Sequence, residues 1–278
     1  MQQAIRLIQE ELSSVFHRNE LSAITRLLLS EITGFDYTGL LVNKYTIFSE
    51  KQNDLLNIYI RELKMKRPIQ YVLGYSEFCG LKFRVDERVL IPRPETEELV
   101  EWIVSESKPH SLILDIGTGS GCIPVSLKYL LPTSIVSACD ISAEALKLAA
   151  INAAENQVDV FFFQCDVLAD FAHEMKYDVI VSNPPYIPLA EMAEMDPHVV
   201  EYEPYIALFV PDNDPLLFYK RIAEYAQVHL NEGGRLYLEM HRKFARDFVA
   251  FLRSLNFSEV ELRNDIHGNE RMVRAIRK

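Results

Sequence analysis

The C-terminal two thirds of the chain alternate short apolar runs with segments of helical periodicity, and this alternation limits the possible folds more than any other feature. Seven runs are typical of strands: 112–116, 135–139, 160–164, 177–182, 235–239, 258–262 and 272–276. Helical segments such as 123–131 and 143–155 separate the earlier runs, whereas a turn-rich link joins the last two. Parallel strands need crossover helices and antiparallel strands do not. We therefore predict an α/β fold with a doubly wound, mostly parallel seven-stranded sheet whose last strand is antiparallel.

The first ninety residues are organised differently. Apolar residues recur at helical spacing in three segments, 4–15, 21–32 and 55–63, which predicts a small helical bundle. Apolar residues around Gly80 then alternate in a way typical of a β-hairpin. We expect three parts: a helical domain over 1–73, a linking hairpin over 74–92 and the α/β domain over 93–278. The helical domain would serve either folding and dimerisation or substrate docking.

A glycine-rich segment, Asp115–Gly121, follows the first strand of the α/β region and precedes a helix. Glycine lets the backbone turn sharply and approach a ligand without a Cβ in the way. A dinucleotide fingerprint would need glycine at Cys122, and a phosphate-binding P-loop would end in Gly-Lys-Ser/Thr. Because both features are absent, the loop disfavours pyrophosphate and triphosphate ligands. A tight turn without a ligand is the alternative.

The second and third predicted strands end at Asp140 and Asp166. Ligands of open α/β sheets bind at the carboxyl ends of the strands. There Asp140 can accept hydrogen bonds from the ribose hydroxyls of an adenosine, and Asp166 can reach the adenine amino group. An N-cap role in the following helix is the alternative for each. The loop and the acids together resemble the cofactor site of Rossmann-like methyltransferases that use S-adenosylmethionine.

The fourth predicted strand runs into Asn183-Pro184-Pro185-Tyr186. The prolines fix φ, and Pro185 holds Pro184 in an extended conformation. The side-chain oxygen of Asn183 and the backbone oxygen of Pro184 can together accept both hydrogens of a planar –NH2 group, while the Tyr186 ring packs on its face. Alignment of this kind favours attack of the nitrogen on a methyl group. A rigid turn after a strand is the alternative.

The charge distribution bears on the substrate. Residues 1–90 carry a net charge of +1 and residues 91–278 carry −12. An acidic surface repels phosphate backbones, which opposes a duplex nucleic-acid substrate. The four cysteines lack zinc-site or disulfide spacing, no apolar run reaches the ~18 residues of a membrane span, and the N-terminus does not resemble a signal peptide. We therefore expect a reduced, cytoplasmic protein with no metal site and no membrane contact.

Several segments carry a family resemblance: Arg67–Gly74, Phe78–Val85, Val89–Glu97, Asp115–Cys122 and Ser182–Ile187. Together they resemble the peptide chain release factor N5-glutamine methyltransferase family. The most specific part is Ile-Pro-Arg-Pro-Glu-Thr-Glu over residues 91–97. The related ribosomal-protein glutamine methyltransferases share Asn-Pro-Pro-Tyr but are not expected to carry this stretch.

The resemblance implies transfer of a methyl group from S-adenosylmethionine to the side-chain amide nitrogen of the glutamine in the Gly-Gly-Gln motif of a class 1 release factor. The expected cofactor-binding residues are Gly117, Thr118, Gly119, Ser120, Gly121, Asp140, Asp166, Leu168 and Asn183. Among them the loop would bind the methionine part, Asp140 the ribose, and Leu168 the adenine. The expected catalytic and substrate-binding residues are Asn183, Pro184, Pro185 and Tyr186. Arg93 and Thr96 are expected near the entrance of the site.

A nucleic-acid amino-methyltransferase that uses the same four residues is the main alternative, and the acidic charge opposes it. A dinucleotide-dependent oxidoreductase lacks its glycine at Cys122 and a hydride-acceptor site. A non-catalytic binding protein would not need an intact site. We expect a monomer that has release factors as its partner and binds no nucleic acid.

Overall fold

The computed structural model describes residues 1–169 and 175–278. The chain divides into two compact units, Met1–Gly74 and Tyr75–Lys278. The predicted hairpin belongs to the second unit. Within the described ranges, no helix has both the length and the apolar character that crossing a membrane requires.

The first unit is helical: α1 (Gln2–Leu12), α2 (Arg18–Thr33), α3 (Tyr37–Val42), α4 (Glu50–Lys64) and α5 (Ile69–Leu73). The three longer helices confirm the predicted apolar stripes and bury them around Ile8, Leu28 and Leu56. Helix α2 ends where Gly34 adopts a left-handed φ of +71°. Apolar periodicity does not reveal α3 and α5, because such short helices do not complete a periodic pattern.

The second unit begins with the predicted hairpin, β1 (Tyr75–Phe78) and β2 (Leu81–Arg84). Its helices are α6 (Pro94–Glu106), α7 (Cys122–Leu130), α8 (Ala143–Glu155), α9 (Pro197–Tyr202), α10 (Tyr205–Leu208), α11 (Leu217–His229) and α12 (Ala245–Ser254). Its further strands are β3 (Leu112–Ile116), β4 (Ile135–Asp140), β5 (Phe161–Gln164), β6 (Tyr177–Ser182), β7 (Ile187–Pro188), β8 (Phe209–Val210), β9 (Leu230–Glu239), β10 (Ser258–Asn264) and β11 (Glu270–Ile276).

Seven strands form one sheet in the order β10-β11-β9-β6-β3-β4-β5. The central strand β3 is parallel to β4 and β6, whereas β11 is antiparallel to both of its neighbours. This confirms the predicted doubly wound sheet with an antiparallel last strand. The chain runs outward from β3 to β5 and returns on the other side of β3. The strand order therefore reverses between β3 and β6, and open α/β sheets bind ligands at the carboxyl edge of such a point.

Two apolar cores cover the two faces of this sheet. Successive strand residues alternate between them, so that Leu114 and Ile180 lie in one core while Ile113 and Val179 lie in the other. All four side chains are essentially inaccessible to solvent. Burial on both faces explains why these strands are nearly continuous apolar runs in the sequence.

Strand β9 is longer than predicted. The sequence predicts 235–239, but the strand begins at Leu230. The Gly233 amide donates a hydrogen bond to the Arg277 carbonyl, and the Arg277 amide donates to the Gly234 carbonyl, both at 2.9 Å. Pairing with the C-terminal end of the chain therefore extends a segment whose glycines favour a turn.

Asn152 on α8 joins the hairpin to the glycine-rich loop. Its Oδ1 accepts a hydrogen bond from the Arg84 amide at 2.7 Å, and its Nδ2 donates to the carbonyls of Arg84 and Ser120 at 3.0 and 2.8 Å. Phe78 and Phe83 of the hairpin are buried in the core beneath. The hairpin is thus packed into the unit that carries the sheet.

Candidate active site

A cavity of about 340 Å³ lies at the carboxyl ends of β3, β4 and β6. This volume is within the usual range of small-molecule sites. The cavity is lined by ten of the predicted site residues: Gly117, Thr118, Gly119, Ser120, Asp140, Asp166, Leu168, Asn183, Pro184 and Pro185. Arg93 and Thr96 also line it. The structure does not bring Gly121 and Tyr186 to the cavity wall.

Left-handed backbone at two glycines shapes the loop. Gly117 and Gly119 have φ values of +75° and +54°. A Cβ added at either position would meet nothing within 4 Å, so these glycines supply backbone conformation beside open space. The amides of Gly117 and Thr118 donate to the Cys139 carbonyl at 2.8 and 3.0 Å. These hydrogen bonds fix the loop against the end of β4.

Gly121 serves the packing of two helices. It precedes α7 with a φ of +79°, and a Cβ added there would lie 2.9 Å from the Cβ of Ala149 on α8. That separation is too short for two carbon atoms. The structure therefore gives Gly121 a close backbone approach between α7 and α8, and its expected part in cofactor binding stays a prediction.

The two predicted acids hold different parts of the wall. Asp140 accepts hydrogen bonds from the amides of Gly119 at 2.8 Å and Ser142 at 2.9 Å. Burial raises the pKa of Asp140, and these backbone hydrogen bonds oppose the shift. A carboxylate has about four acceptor sites, so Asp140 keeps capacity for a ligand. Asp166 accepts a hydrogen bond from the Leu168 amide at 2.9 Å, which forms a local turn at the wall.

A buried polar pair lies at the start of the loop. Asp115 is fully buried and Thr118 nearly so. Within the described residues, neither carboxylate oxygen of Asp115 nor the Thr118 hydroxyl makes a hydrogen bond of standard geometry. Burial raises the pKa of Asp115 to about 7; the Thr118 hydroxyl opposes the shift and the charge of Asp140 adds to it. Buried polar atoms without partners are rare, and a bound ligand or an ordered water is a common explanation for them.

The Asn-Pro-Pro-Tyr segment leaves the end of β6 beside the loop. The Ser182 hydroxyl donates to the Ile116 carbonyl at 2.6 Å, which holds the ends of β6 and β3 together. The Asn183 Nδ2 donates to the Thr96 Oγ1 at 3.2 Å. The Asn183 Oδ1 has no hydrogen-bond donor among the described residues, so it is available to a ligand.

Glu239, the last residue of β9, belongs to this site although the sequence analysis does not single it out. Its side chain is buried, and its carboxylate accepts hydrogen bonds from the hydroxyls of Thr96 at 2.6 Å and Tyr186 at 3.3 Å. Burial raises the pKa of Glu239, while Thr96 and the Arg271 charge oppose the shift. A lone acid at the carboxyl end of an apolar strand is the signal that could have found it.

Tyr186 contacts protein groups. Its hydroxyl donates to Glu239, and its ring centroid lies 6.0 Å from that of His241. Burial of the phenol raises the pKa of Tyr186. The predicted packing of this ring on a planar ligand group stays a prediction.

An ion pair joins two further segments of the wall. Arg93 lies 2.6 Å from the carboxylate of Glu203, whose other oxygen accepts a hydrogen bond from the Ile91 amide at 3.2 Å. Residues 88–92, which precede Arg93 and which the sequence assigns to the linking segment, also line the cavity. Pro204, which follows Glu203 in the sequence, lines it as well. Nothing in the sequence around Glu203 distinguishes it from an ordinary surface acid.

Family models match both units. The model described as "PrmC N-terminal domain" matches residues 3–74, and "Methyltransferase small domain" matches residues 95–199. The second match includes the glycine-rich loop and the Asn-Pro-Pro-Tyr segment.

Solved structures share the fold. A methyltransferase from Pyrococcus furiosus has a TM-score of 0.54 at 18% identity and covers 82% of this chain and 98% of its own. The hMettl16 catalytic domain, solved in complex with the MAT2A 3'UTR hairpin 1, has a TM-score of 0.58 at 18% identity and covers 81% of this chain and 80% of its own. At such identities the likeness concerns the fold alone.

Full-length relatives are closer in sequence. A release factor glutamine methyltransferase from Bacteroides thetaiotaomicron is 44% identical over 97% of this chain and 98% of its own length. Those from Flavobacterium psychrophilum and Lactococcus lactis are 42% and 43% identical, over 96% and 98% of this chain and 95% and 97% of their own.

The sheet, the glycine-rich loop and the matched domain define a Rossmann-like methyltransferase, a class whose methyl donor is S-adenosylmethionine. Sequence identity above 40% to these relatives, over nearly the whole length, also identifies the family within that class. The chain belongs to the release factor glutamine methyltransferase family.

Proposed function

We propose that this chain transfers the methyl group of S-adenosylmethionine to the side-chain amide nitrogen of the glutamine in the Gly-Gly-Gln motif of class 1 peptide chain release factors. The names of its full-length relatives support the substrate class. One observation supports an amide as the acceptor: Asn183 lines the cavity with its nitrogen held by Thr96 and its oxygen available.

The residues of the cavity suit this cofactor. S-adenosylmethionine supplies a methyl group made electrophilic by its bond to a positively charged sulfur. The Thr118 hydroxyl lines the cavity without a partner of standard geometry, and the backbone at Gly117 and Gly119 borders open space, so this wall offers room and a polar partner for a charged amino acid. Asp140 would accept hydrogen bonds from the ribose hydroxyls, and Asp166 and Leu168 would border the adenine.

The Asn-Pro-Pro-Tyr segment would hold the substrate amide. The Asn183 Oδ1 and the Pro184 carbonyl would accept its two N–H hydrogens, while the prolines keep these oxygens at fixed positions. An amide nitrogen is a weak nucleophile because its lone pair is delocalised into the carbonyl. Alignment of the reacting groups can contribute about 7 kcal/mol or more, which replaces the need for a strong base.

The bond changes balance without a further reactant. The amide nitrogen forms a bond to the methyl carbon as the carbon–sulfur bond breaks, and the electron pair of that bond stays on sulfur. The methylated nitrogen then loses one proton to water. No buried base is required at the nitrogen, because the amide becomes strongly acidic once the new bond forms.

The helical unit would dock the release factor. It matches the N-terminal domain of the family, and all the described residues that line the cavity belong to the second unit. Removal of residues 1–73 should therefore weaken recognition of the protein substrate more than cofactor binding. Equal loss of both would assign the helical unit a structural role. We also propose that the chain acts as a monomer in the cytoplasm, where its proposed substrate works.

A labelling experiment tests the function. The protein is incubated with S-adenosylmethionine carrying a labelled methyl group and, in separate reactions, with a class 1 release factor, the same factor with its motif glutamine replaced by alanine, and total RNA. Label in the parent factor alone is expected. Equal label in the substituted factor, or label in RNA, would reject the proposal, and label in RNA would favour the nucleic-acid alternative.

A further inference from the structure

The side chains of Asn183, Thr96 and Glu239 form a series of hydrogen bonds that begins at the cavity wall and runs in one direction. The Asn183 amide nitrogen donates to the Thr96 oxygen at 3.2 Å, and the Thr96 hydroxyl donates to the Glu239 carboxylate at 2.6 Å. Thr96 and Glu239 are each only 2% exposed, so water does not compete for these contacts. Thr96 lies in the first turn of α6, and Glu239 is the last residue of β9.

The direction of these hydrogen bonds follows from the single hydrogen that the Thr96 hydroxyl can donate. A hydroxyl has one hydrogen, and an ionised carboxylate can only accept, which agrees with the O–H···O distance of 2.6 Å. Burial raises the pKa of Glu239, but the Thr96 hydrogen bond and the Arg271 charge oppose that shift and favour the ionised form. With its hydrogen on Glu239, the Thr96 oxygen can only accept. Asn183 must then turn its NH2 group towards Thr96 and its oxygen the other way.

This constraint matters because the two ends of an asparagine amide are nearly equal in size. Packing alone does not distinguish them, and only hydrogen-bond partners do. With the amide reversed, an NH2 group would meet the NH2 group of the substrate. Two donors would then face each other and one would lack a partner, which costs about 1–3 kcal/mol in a buried site.

We propose that Thr96 and Glu239 are positioning residues that fix the Asn183 amide with its oxygen towards the substrate, and so make the site selective for an acceptor that donates two hydrogens. This inference rests on the proposed function. It extends that function by assigning the choice of an –NH2 acceptor to a buried carboxylate outside the Asn-Pro-Pro-Tyr segment.

Glu239 also holds the other end of that segment. Its second oxygen accepts the hydrogen bond of the Tyr186 hydroxyl at 3.3 Å. The Glu239 carboxylate therefore holds the last residue of the Asn-Pro-Pro-Tyr segment directly and the first residue through Thr96. This arrangement leaves no oxygen of Glu239 without a donor, which keeps the Thr96 hydrogen bond in one direction.

The test removes the Thr96 hydroxyl without changing the shape of the side chain. Thr96→Val should lower kcat for the release factor by about 10- to 100-fold, because the amide is no longer held in one orientation. The KM for the release factor and the Kd for S-adenosylhomocysteine should stay within about threefold. Thr96→Ser, which retains the hydroxyl, should restore most of the activity.

Ser111→Ala is the matched control. Ser111 is a buried serine of the second unit, next to β3, whose hydroxyl donates to the Lys108 carbonyl at 2.7 Å and which is not among the described residues that line the cavity. Its loss should leave kcat unchanged. Thr96→Ala supplies a second hydroxyl-free variant with less bulk, in case valine does not fit.

Two results would overturn the inference. Full kcat in both hydroxyl-free variants would show that the amide is oriented without Thr96. A loss of kcat matched by equal losses of cofactor affinity and Tm would make Thr96 merely structural. Activity of the unsubstituted protein separates the two proposals. An unsubstituted protein that leaves the release factor unlabelled would reject the proposed function, but it would not contradict the positioning role of Thr96 and Glu239.

Discussion

The Asp140 carboxylate accepts the backbone hydrogen bond of Gly119 at 2.8 Å, so one side chain both shapes the glycine-rich loop and borders the cavity. Asp140→Ala removes this acceptor together with the proposed ribose contact. We expect the Kd for S-adenosylmethionine to rise by the equivalent of about 1–3 kcal/mol, as for lost hydrogen bonds to a charged group. Isothermal titration calorimetry measures the change.

Asp212→Ala is the control for that variant. Asp212 also accepts a hydrogen bond from a backbone amide, that of Ala190 at 2.8 Å, but it does not line the cavity. Cofactor affinity should be unaffected by its loss. Unchanged affinity in Asp140→Ala would place the ribose elsewhere.

Asn183→Ala should abolish methyl transfer while leaving cofactor affinity within about tenfold, since the lost oxygen positions the acceptor and not the donor. Turnover with the release factor and titration with S-adenosylhomocysteine measure the two effects. Asn156→Ala is a suitable comparison, because its carboxamide donates to the carbonyls of Lys82 and Asn152 and is not among the described residues that line the cavity. A fully active Asn183→Ala protein would contradict the role of the amide.

Gly121→Ala should destabilise the fold. The added Cβ would lie 2.9 Å from the Cβ of Ala149, and the φ of +79° is unfavourable for alanine. Overpacking and strain of this kind cost about 1–3 kcal/mol in the free energy of unfolding, measured by denaturant titration. Ala149→Gly in the same protein should recover the part due to the collision. Equal stability of parent and Gly121→Ala would show that α7 and α8 separate freely.

Asp115→Asn should stabilise the cofactor-free protein at alkaline pH. The folded state raises the pKa of this carboxyl to about 7. Between the unfolded and folded pKa values the folded state binds more protons, so parent stability falls as pH rises through that window. At about 1.36 kcal/mol per pKa unit, the loss by pH 8 approaches roughly 4 kcal/mol.

Thermal unfolding at several pH values tests this prediction. The Tm of Asp115→Asn should exceed that of the parent at pH 8, and the difference should shrink towards pH 4. A pH-independent difference in Tm would mean that the carboxyl does not titrate in this window.

Local pattern predicted most of the architecture. Buried parallel strands such as 112–116 and 177–182 are continuous apolar runs, and the crossover helices between strands have clear periodicity. Such strands end at one edge of the sheet, so the sequence predicted that the glycine-rich loop and Asn183 would lie near each other. The identity of the methyl acceptor came from the family resemblance, because hydrophobic periodicity carries no information about a substrate.

The contacts that orient the site could not be predicted in the same way. Thr96 and Glu239 are separated by 143 residues, and Arg93 and Glu203 by 110. Their pairing depends on the register of distant strands and on where loops cross the cavity. Around Glu203, no local signal in the sequence distinguishes a buried acceptor from a solvated charge.

Asn152 limits what can change in this chain. Its carboxamide meets two backbone groups of Arg84 and the carbonyl of Ser120, which uses its acceptor and both of its donor hydrogens. Aspartate offers no donor, leucine offers no polar atom, and glutamine is longer by one carbon. No other amino acid can satisfy all three groups at that distance, so mutational drift at position 152 would loosen the hairpin and the cofactor loop in a single step.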